Sequence, residues 1–126
     1  LYLKAGDLAL SNEKPSIKPN APVKEVLIEI SKNRLGAVAV IDEDSKVLGV
    51  ITDGDIRRML ENNINIDQLK AVDIMGKNPK NIQHSALAVN ALEMLKENNI
   101  TQLLVLEKDT YFGIIHLHDL LKEGIV

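Results

Sequence analysis

The feature of this sequence that most constrains its fold is an internal repeat with a spacing of about 65 residues. Residues 48–59 read LGVITDGDIRRM, and residues 112–120 repeat the pattern as FGIIHLHDL. The string KAGDLA at residues 4–9 returns in the same way as KAVDIM at residues 70–75. A period of this length indicates that one small supersecondary unit occurs twice along the chain.

Hydrophobic spacing predicts the same β-α-β-β-α order in each copy. In the first copy an extended piece begins at Ile17, and a helix capped by Asn20 follows it. Branched apolar runs predict strands at 37–41 and 47–51, after which a second helix begins. The apolar stripe of the first helix comprises Val23, Val26, Leu27 and Ile30, and its counterpart in the second copy comprises Ala88, Ala91, Leu92 and Leu95.

These elements predict an α/β (α+β) fold made of two β-α-β-β-α repeats, residues 1–62 and 63–126, with a connector from Glu61 to Leu69. Each copy is too small to bury both faces of its sheet. We therefore expect the copies to pack sheet against sheet about a pseudo-twofold axis and to form two related clefts. The predicted core comprises Val26, Leu27, Ile30, Val38, Val40, Val50 and Ile51 in the first copy, and Leu92, Leu95, Leu103, Val105, Ile114 and Ile115 in the second.

Composition excludes several classes of function. The net charge is -3 and no basic block is present, which argues against nucleic acid as a partner, and no apolar run approaches the length that spans a membrane. The chain has no cysteine, so disulfides and thiolate metal sites are excluded. Only 2% of the residues are aromatic, so a bound base would lie between aliphatic side chains and backbone. Because the chain begins at Leu1, we interpret it as a fragment of a longer protein.

The first copy of the motif gathers groups that suit a sugar bearing a phosphate. A strand end, a hydroxyl, carboxylates and free helix amides meet at its Thr-Asp-Gly-Asp segment, and two arginines follow one turn later. The candidate ligand-binding residues are Thr52, Asp53, Asp55, Arg57 and Arg58. The alternative interpretation is a capped surface helix with solvated arginines.

The second copy carries His116, His118 and Asp119 at the corresponding positions. We interpret the two histidines as donors to a phosphate or carboxylate in the second cleft. One alternative is a histidine that merely caps the helix. Another is a metal site, but no third or fourth ligand is evident, so we predict no metal. No nucleophile paired with a base and no Walker-type loop is present, so we predict no catalytic residues.

The repeated pattern of strand, Gly-hydrophobic-hydrophobic-Thr-x-x-Asp and helix resembles the CBS domain pair, also called a Bateman module. The resemblance covers nearly the whole chain. It implies that Thr52 and Asp55 hold the phosphate and ribose of a nucleotide. The second copy departs from the family pattern, because it keeps Asp119 but has His116 in place of the hydroxyl residue.

A closer resemblance lies in the strings GVITDGDIRRML and GIIHLHDLLKEGIV, with VDIM between them. They are similar to the C-terminal regulatory part of the KpsF/GutQ-type arabinose 5-phosphate isomerases, cytoplasmic enzymes that feed Kdo synthesis for lipopolysaccharide or capsule. The resemblance implies that the isomerase chemistry belongs to a preceding SIS (sugar isomerase) domain. It also implies that CBS pairs of this kind assemble as homodimers.

Three hypotheses follow from different classes of function. The first is an allosteric module that binds CMP-Kdo, AMP or ATP and regulates a linked isomerase. The second is a ligand-free module that holds the oligomer of the same enzyme together. The third is a catalytic fragment that uses the histidine pair and a metal. The sequence favours the first.

Overall fold

The computed structural model describes residues 2–62 and 65–125. Residues 63 and 64, where the predicted repeats meet within the predicted connector, lie outside the described residues. In chain order the elements are α1 (Ala5–Leu10), β1 (Ser16–Ile17), α2 (Val23–Lys32), β2 (Ala37–Ile41), β3 (Val47–Thr52), α3 (Asp53–Glu61), a 3-10 turn (Ile66–Gln68), α4 (Ala71–Ile74), β4 (Gly76–Lys77), β5 (Asn81–Gln83), α5 (Ala88–Asn98), β6 (Gln102–Glu107), β7 (Thr110–His116) and α6 (Leu117–Lys122). This mixed α/β architecture confirms the predicted fold class.

The elements form two compact units that do not follow the order of the chain. One unit is Pro15–Pro79, and the other joins the segment that ends at Lys14 to the segment that begins at Lys80. The N-terminal helix α1 therefore folds with the strands of the second copy. Backbone hydrogen bonds from Ala5 to the Ala86 carbonyl, at 2.8 Å, and from Gly6 to the His84 carbonyl, at 2.9 Å, hold it there.

The unit Pro15–Pro79 is built on a four-stranded sheet with the strand order β1-β2-β3-β4. Strands β1 and β2 are parallel, whereas β3 is antiparallel to both β2 and β4. Strand β2 is buried along its whole length, as its uninterrupted apolar sequence predicts. Its core cluster comprises Val26, Val38, Val40, Ile51 and Ala71, with Ile17, Ile30, Ile56, Ile74 and Met75 packed against it.

Three predictions for this unit need correction. Leu27 is only half-buried, because α2 directs Val26 rather than Leu27 into the core. Val50 is also half-buried, because successive residues of a strand face opposite sides of the sheet and β3 buries Ile51 instead. Asn20 does not cap α2, since the helix begins at Val23 with Pro22 in the N-cap position. The locked φ of proline suits the extended conformation found there, so the chain enters the helix two residues later than predicted.

The second unit contains a three-stranded sheet with the order β5-β6-β7, in which β5 and β6 are parallel and β6 and β7 antiparallel. All the core residues predicted for the second copy are buried here. Its core cluster comprises Ala5, Leu8, Ala9, Ile82, Ala88, Ala91, Leu92, Leu95, Leu103, Val105, Ile115 and Leu120. Helix α1 thus contributes three residues to a core whose strands follow it by more than 70 positions.

Glycines in the two long hairpin strands allow close packing of the neighbouring elements. A Cβ at Gly49 of β3 would lie 2.6 Å from the Gly76 carbonyl oxygen of β4. A Cβ at Gly113 of β7 would lie 3.1 Å from the Cβ of Ala9 in α1. Gly49 therefore allows a neighbouring backbone to come close. The short elements α1, α4 and β4 were not predicted, because two to six residues carry too little periodicity.

Leu27 and Leu92 occupy equivalent positions in the two repeats, but they differ in burial. Leu92 is 6% exposed within a core cluster, so Leu92→Ala should lower the free energy of unfolding by about 2 to 5 kcal/mol. Leu27→Ala should cost less than half as much, because Leu27 keeps part of its side chain in water. Urea denaturation of the two variants measures the difference, and equal losses would contradict the structure.

Candidate functional site

The first motif lies where β3 ends and α3 begins. Thr52 is the N-cap of α3, and its hydroxyl accepts a hydrogen bond from the Asp55 backbone N–H at 3.4 Å. Asp55 Oδ2 in turn accepts hydrogen bonds from the Thr52 backbone N–H, at 2.9 Å, and from the Thr52 hydroxyl, at 3.2 Å. This reciprocal capping box satisfies helix-terminal amides and fixes the orientation of the Asp55 carboxylate.

The other carboxylate oxygen of Asp55, Oδ1, accepts a hydrogen bond from a side chain that is largely exposed to solvent. Arg58 Nη2 donates to Asp55 Oδ1 at 2.6 Å, one helical turn further on. The Arg58 side chain is 66% exposed, whereas that of Asp55 is 15% exposed. An ion pair with such an exposed member contributes about 0 to 1 kcal/mol, so a ligand hydroxyl can take the place of Arg58 on Asp55 at little cost.

The structure does not bring all five residues predicted for the first motif together. Thr52, Asp55 and Arg58 form the cluster described above. Asp53 and Arg57 are exposed, and within residues 2–62 and 65–125 no hydrogen bond or ion pair joins them to that cluster. Their part in ligand binding stays a prediction.

A depression in the surface begins at this cluster. Its volume is about 280 Å³, and it is lined by Asp55, Arg58, Met59, Asn62, Leu69, Asp73 and Ile74. Pockets that enclose a drug-sized ligand have volumes of about 300 to 1,000 Å³. The depression is slightly smaller than these pockets, and two carboxylates and one guanidinium lie on its walls.

The second motif repeats the cap with different chemistry. His116 is the N-cap of α6, and its Nδ1 accepts a hydrogen bond from the His118 backbone N–H at 3.0 Å. Asp119 Oδ2 accepts one from the His116 backbone N–H at 2.7 Å. Because Nδ1 is an acceptor, the imidazole is neutral and carries its proton on Nε2. The helix-capping alternative raised from the sequence describes this contact.

Burial lowers the pKa of His116, and the charge of the neighbouring His118 lowers it further, while Asp119 opposes both effects. The two imidazole rings lie 4.5 Å apart between centroids. At neutral pH the His116 side chain is therefore an uncharged donor through Nε2, rather than the cation expected for an anion site. His118 is exposed to solvent beside it.

One residue of the second motif was missed from the sequence. Asn12, half-buried after α1, donates from its side-chain amide to Asp119 Oδ2 at 2.8 Å and to the Ile114 carbonyl at 3.0 Å. In the sequence, Asn12 lies in a polar run at residues 11–15, SNEKP. No local pattern links it to Asp119, because the two residues are 107 positions apart.

Two properties of the described residues bear on the hypotheses. Across residues 2–62 and 65–125, no group of three or more His, Cys, Asp or Glu side chains is arranged to hold a metal ion. In the same ranges no helix is long and apolar enough to cross a membrane. The hydrogen bonds that the structure shows for the two histidines are those of the helix cap.

Comparison with known families agrees with the internal repeat. A model of the CBS domain matches residues 5–62 and, a second time, residues 71–125. The chain therefore belongs to the CBS domain family and carries two copies of the domain in tandem. This confirms the resemblance drawn from the Gly-hydrophobic-hydrophobic-Thr-x-x-Asp pattern.

The relatives found by sequence similarity belong to a narrower group of proteins than the family as a whole. Over its full length the chain is 33% identical to the arabinose 5-phosphate isomerase KdsD of Yersinia pestis and 32% identical to that of Escherichia coli (strain K12). It spans 39% of the length of each of these proteins. The resemblance to isomerases of this kind is confirmed at the level of sequence similarity.

Solved structures share the fold at lower identity. A CBS domain protein of Pyrobaculum aerophilum complexed with AMP has a TM-score of 0.83 and 23% identity, with 94% of this chain and 90% of that chain covered. The CBS domain pair of protein MJ0100, in complex with 5′-methylthioadenosine and S-adenosyl-L-methionine, has a TM-score of 0.86 and 19% identity, with 98% and 97% covered. These similarities establish the fold of a CBS pair.

The His116 cap predicts a pH-dependent stability. Its pKa is lowered on folding, so the unfolded chain takes up a proton first as the pH falls through the ordinary histidine value of about 6.5. His116→Asn supplies an amide oxygen as the N-cap acceptor in place of Nδ1 and does not titrate. Between about pH 7.5 and about pH 5.5 the melting temperature of the wild type should therefore fall further than that of His116→Asn. Parallel pH profiles would refute this role of the imidazole.

Proposed function

We propose that this chain is the ligand-sensing CBS pair of an arabinose 5-phosphate isomerase in Kdo and lipopolysaccharide biosynthesis. The ligand is a nucleotide or nucleotide sugar, with CMP-Kdo, AMP and ATP as the candidates. One observation carries the proposal: Asp55 is fixed by Thr52 through one oxygen, while its other oxygen accepts a hydrogen bond, among the described residues, only from the exposed side chain of Arg58.

The geometry of Asp55 suits recognition of a ribose. Vicinal hydroxyls both donate hydrogen bonds, and a carboxylate whose orientation is already fixed accepts them without losing side-chain freedom. The arriving hydroxyls replace the guanidinium of Arg58 at Oδ1. Arg58 is then available one turn along α3 for the phosphate of the same ligand, where a guanidinium forms paired charge-assisted hydrogen bonds.

CMP-Kdo combines the groups that both motifs offer to bind. Its ribose suits Asp55 or Asp119, its phosphate suits Arg58 or Arg57, and its sugar carboxylate suits donors such as His116 and His118. Feedback by an activated end product on an early isomerase is also chemically sensible. AMP and ATP offer the same ribose and phosphate but no sugar carboxylate.

The parent enzyme is inferred from the relatives. Matches to KdsD proteins cover this whole chain but 39% of their length, so the proposed isomerase chemistry belongs to a linked SIS domain. Occupied ligand sites change how the CBS pair packs against that domain and thereby change its activity. The proposal also places the protein in the cytoplasm as a homo-oligomer, without nucleic acid or membrane partners.

An apolar face on α2 favours a second candidate function. Ile28 is 49% exposed, and with Leu27, Lys24, Ser31 and Lys32 it lines a shallow groove of about 390 Å³. A ligand-free module would use such a face to hold the enzyme's oligomer together.

Light scattering at several concentrations, with and without ligand, separates the two functions. Assembly without nucleotide binding would support the second one.

Substitutions at Asp55 and Arg58 test the ligand site in complementary ways. Asp55→Ala should weaken nucleotide binding at the first motif by about tenfold or more, because each charge-assisted hydrogen bond contributes about 1.5 to 3 kcal/mol. Arg58→Ala should weaken AMP binding more than adenosine binding, since it removes a phosphate partner but leaves Asp55 unoccupied. Calorimetric titration with AMP, adenosine, CMP-Kdo and ATP measures these affinities.

Arg57→Ala is the matched control, because Arg57 is the adjacent arginine and, among the described residues, makes no hydrogen bond or ion pair with the Asp55 cluster. It should change AMP affinity less than Arg58→Ala does. Equal losses for the two arginines would show that the ligand meets only the general positive charge of α3. An absence of binding by all four compounds would refute the sensing function.

A further inference from the structure

The two motifs orient their aspartate with different residues. In each, Oδ2 of the motif aspartate accepts the backbone N–H of the N-cap residue, at 2.9 Å for Asp55 and 2.7 Å for Asp119. That single bond lets the carboxylate turn about its side-chain torsion. A second donor to the same oxygen restricts this rotation and thereby fixes the position of the remaining oxygen.

In the first motif the second donor is the hydroxyl of Thr52, 3.2 Å from Asp55 Oδ2. The second motif has His116 in that position, and His116 Nδ1 is an acceptor that is already occupied by the His118 N–H. It therefore cannot donate to the carboxylate. The side-chain amide of Asn12 takes over this bond at 2.8 Å, and reaches the same oxygen, Oδ2.

Asn12 is itself held firmly enough to orient a carboxylate. The same amide nitrogen donates to the Ile114 carbonyl at 3.0 Å, in the strand that leads to His116. The backbone N–H of Asn12 bonds to the Ala9 carbonyl at 3.1 Å, at the end of α1. Helix α1 approaches β7 closely because Gly113 leaves space beside Ala9.

The corresponding position in the other unit provides an internal comparison. By the spacing of KAGDLA and KAVDIM, Asn12 corresponds to Asn78. Asn78 has a left-handed backbone with φ 53° and, among the described residues, no hydrogen bond to Asp55. Among the described residues, an asparagine side chain therefore donates to the motif aspartate only at the motif that lacks the hydroxyl.

We propose that Asn12 is a positioning residue for ligand binding at the second motif, where it replaces the missing motif hydroxyl and presents Asp119 Oδ1 to the hydroxyls of a ribose. This inference rests on the proposed nucleotide-binding function. It makes the second motif a functional site rather than a degenerate copy. It also makes that site dependent on the segment around α1, which lies more than 100 positions earlier in the chain.

The test measures AMP and CMP binding by calorimetry in an Asp55→Ala background, so that only the second motif contributes. Asn12→Ala should weaken binding there by about tenfold or more, because the carboxylate is no longer oriented. Asn12→Asp, which keeps the side-chain volume but supplies no donor, should weaken it at least as much. Ser11→Ala, on the same segment, is the control and should leave the affinity unchanged.

Restoring the hydroxyl distinguishes positioning from a structural role. If Asn12 acts through Asp119, His116→Thr should recover most of the affinity that Asn12→Ala loses, since threonine supplies the donor that the first motif uses. A role in packing α1 alone would lower the melting temperature and would not be rescued by a change at position 116. Failure of the rescue therefore overturns the inference.

The outcomes also separate this inference from the proposed function. If the wild type binds no nucleotide, the proposed function fails and the positioning role falls with it. If the wild type binds but the Asp55→Ala background does not, the second motif holds no ligand and only the inference fails. Unchanged affinity in Asn12→Ala likewise overturns the inference and leaves the sensing function intact.

Discussion

The structure depends on one repeated interaction, in which an aspartate at the third helical position accepts the backbone N–H of the residue that precedes the helix. A helix start leaves amide groups without partners, and here a carboxylate satisfies one of them while its charge complements the helix dipole. Four helices begin this way, with aspartate-to-amide distances of 2.8 to 2.9 Å at Lys4–Asp7, Thr52–Asp55 and Lys70–Asp73 and 2.7 Å at His116–Asp119. Helix initiation and the proposed ligand sites thus draw on the same side chains.

Because the aspartate is committed to the helix start through Oδ2, its other oxygen is the one available for further chemistry. Asp55 Oδ1 is covered by a solvent-exposed arginine, whereas Asp119 Oδ1 has no hydrogen-bond partner among the described residues. The flanking residues then make the two motifs chemically different. The first has a hydroxyl and a guanidinium nearby, and the second has a neutral imidazole and a primary amide.

Close packing of short elements against glycine determines which segments reach these motifs. Gly49 admits the Gly76 backbone and the Met75 side chain beside β3, and Gly113 admits α1 beside β7. In both units a short helix, whose first turn is capped by an aspartate, lies against the strand that leads into the motif. In the second unit this packing places Asn12 within hydrogen-bond distance of Asp119.

The sequence alone determined the repeat, the CBS family, the long strands and most of the core, because periodic burial leaves a local pattern at strand and helix spacing. It also proposed Thr52, Asp55 and Asp119 as candidate site residues, and their capping contacts are local, with partners three residues apart. Only the tertiary structure decided that α1 folds with the second copy, that Arg58 rather than Arg57 contacts Asp55, that His116 is a neutral acceptor, and that Asn12 reaches Asp119. These facts depend on contacts between distant segments or on the direction in which a side chain points, and neither leaves a trace in local periodicity.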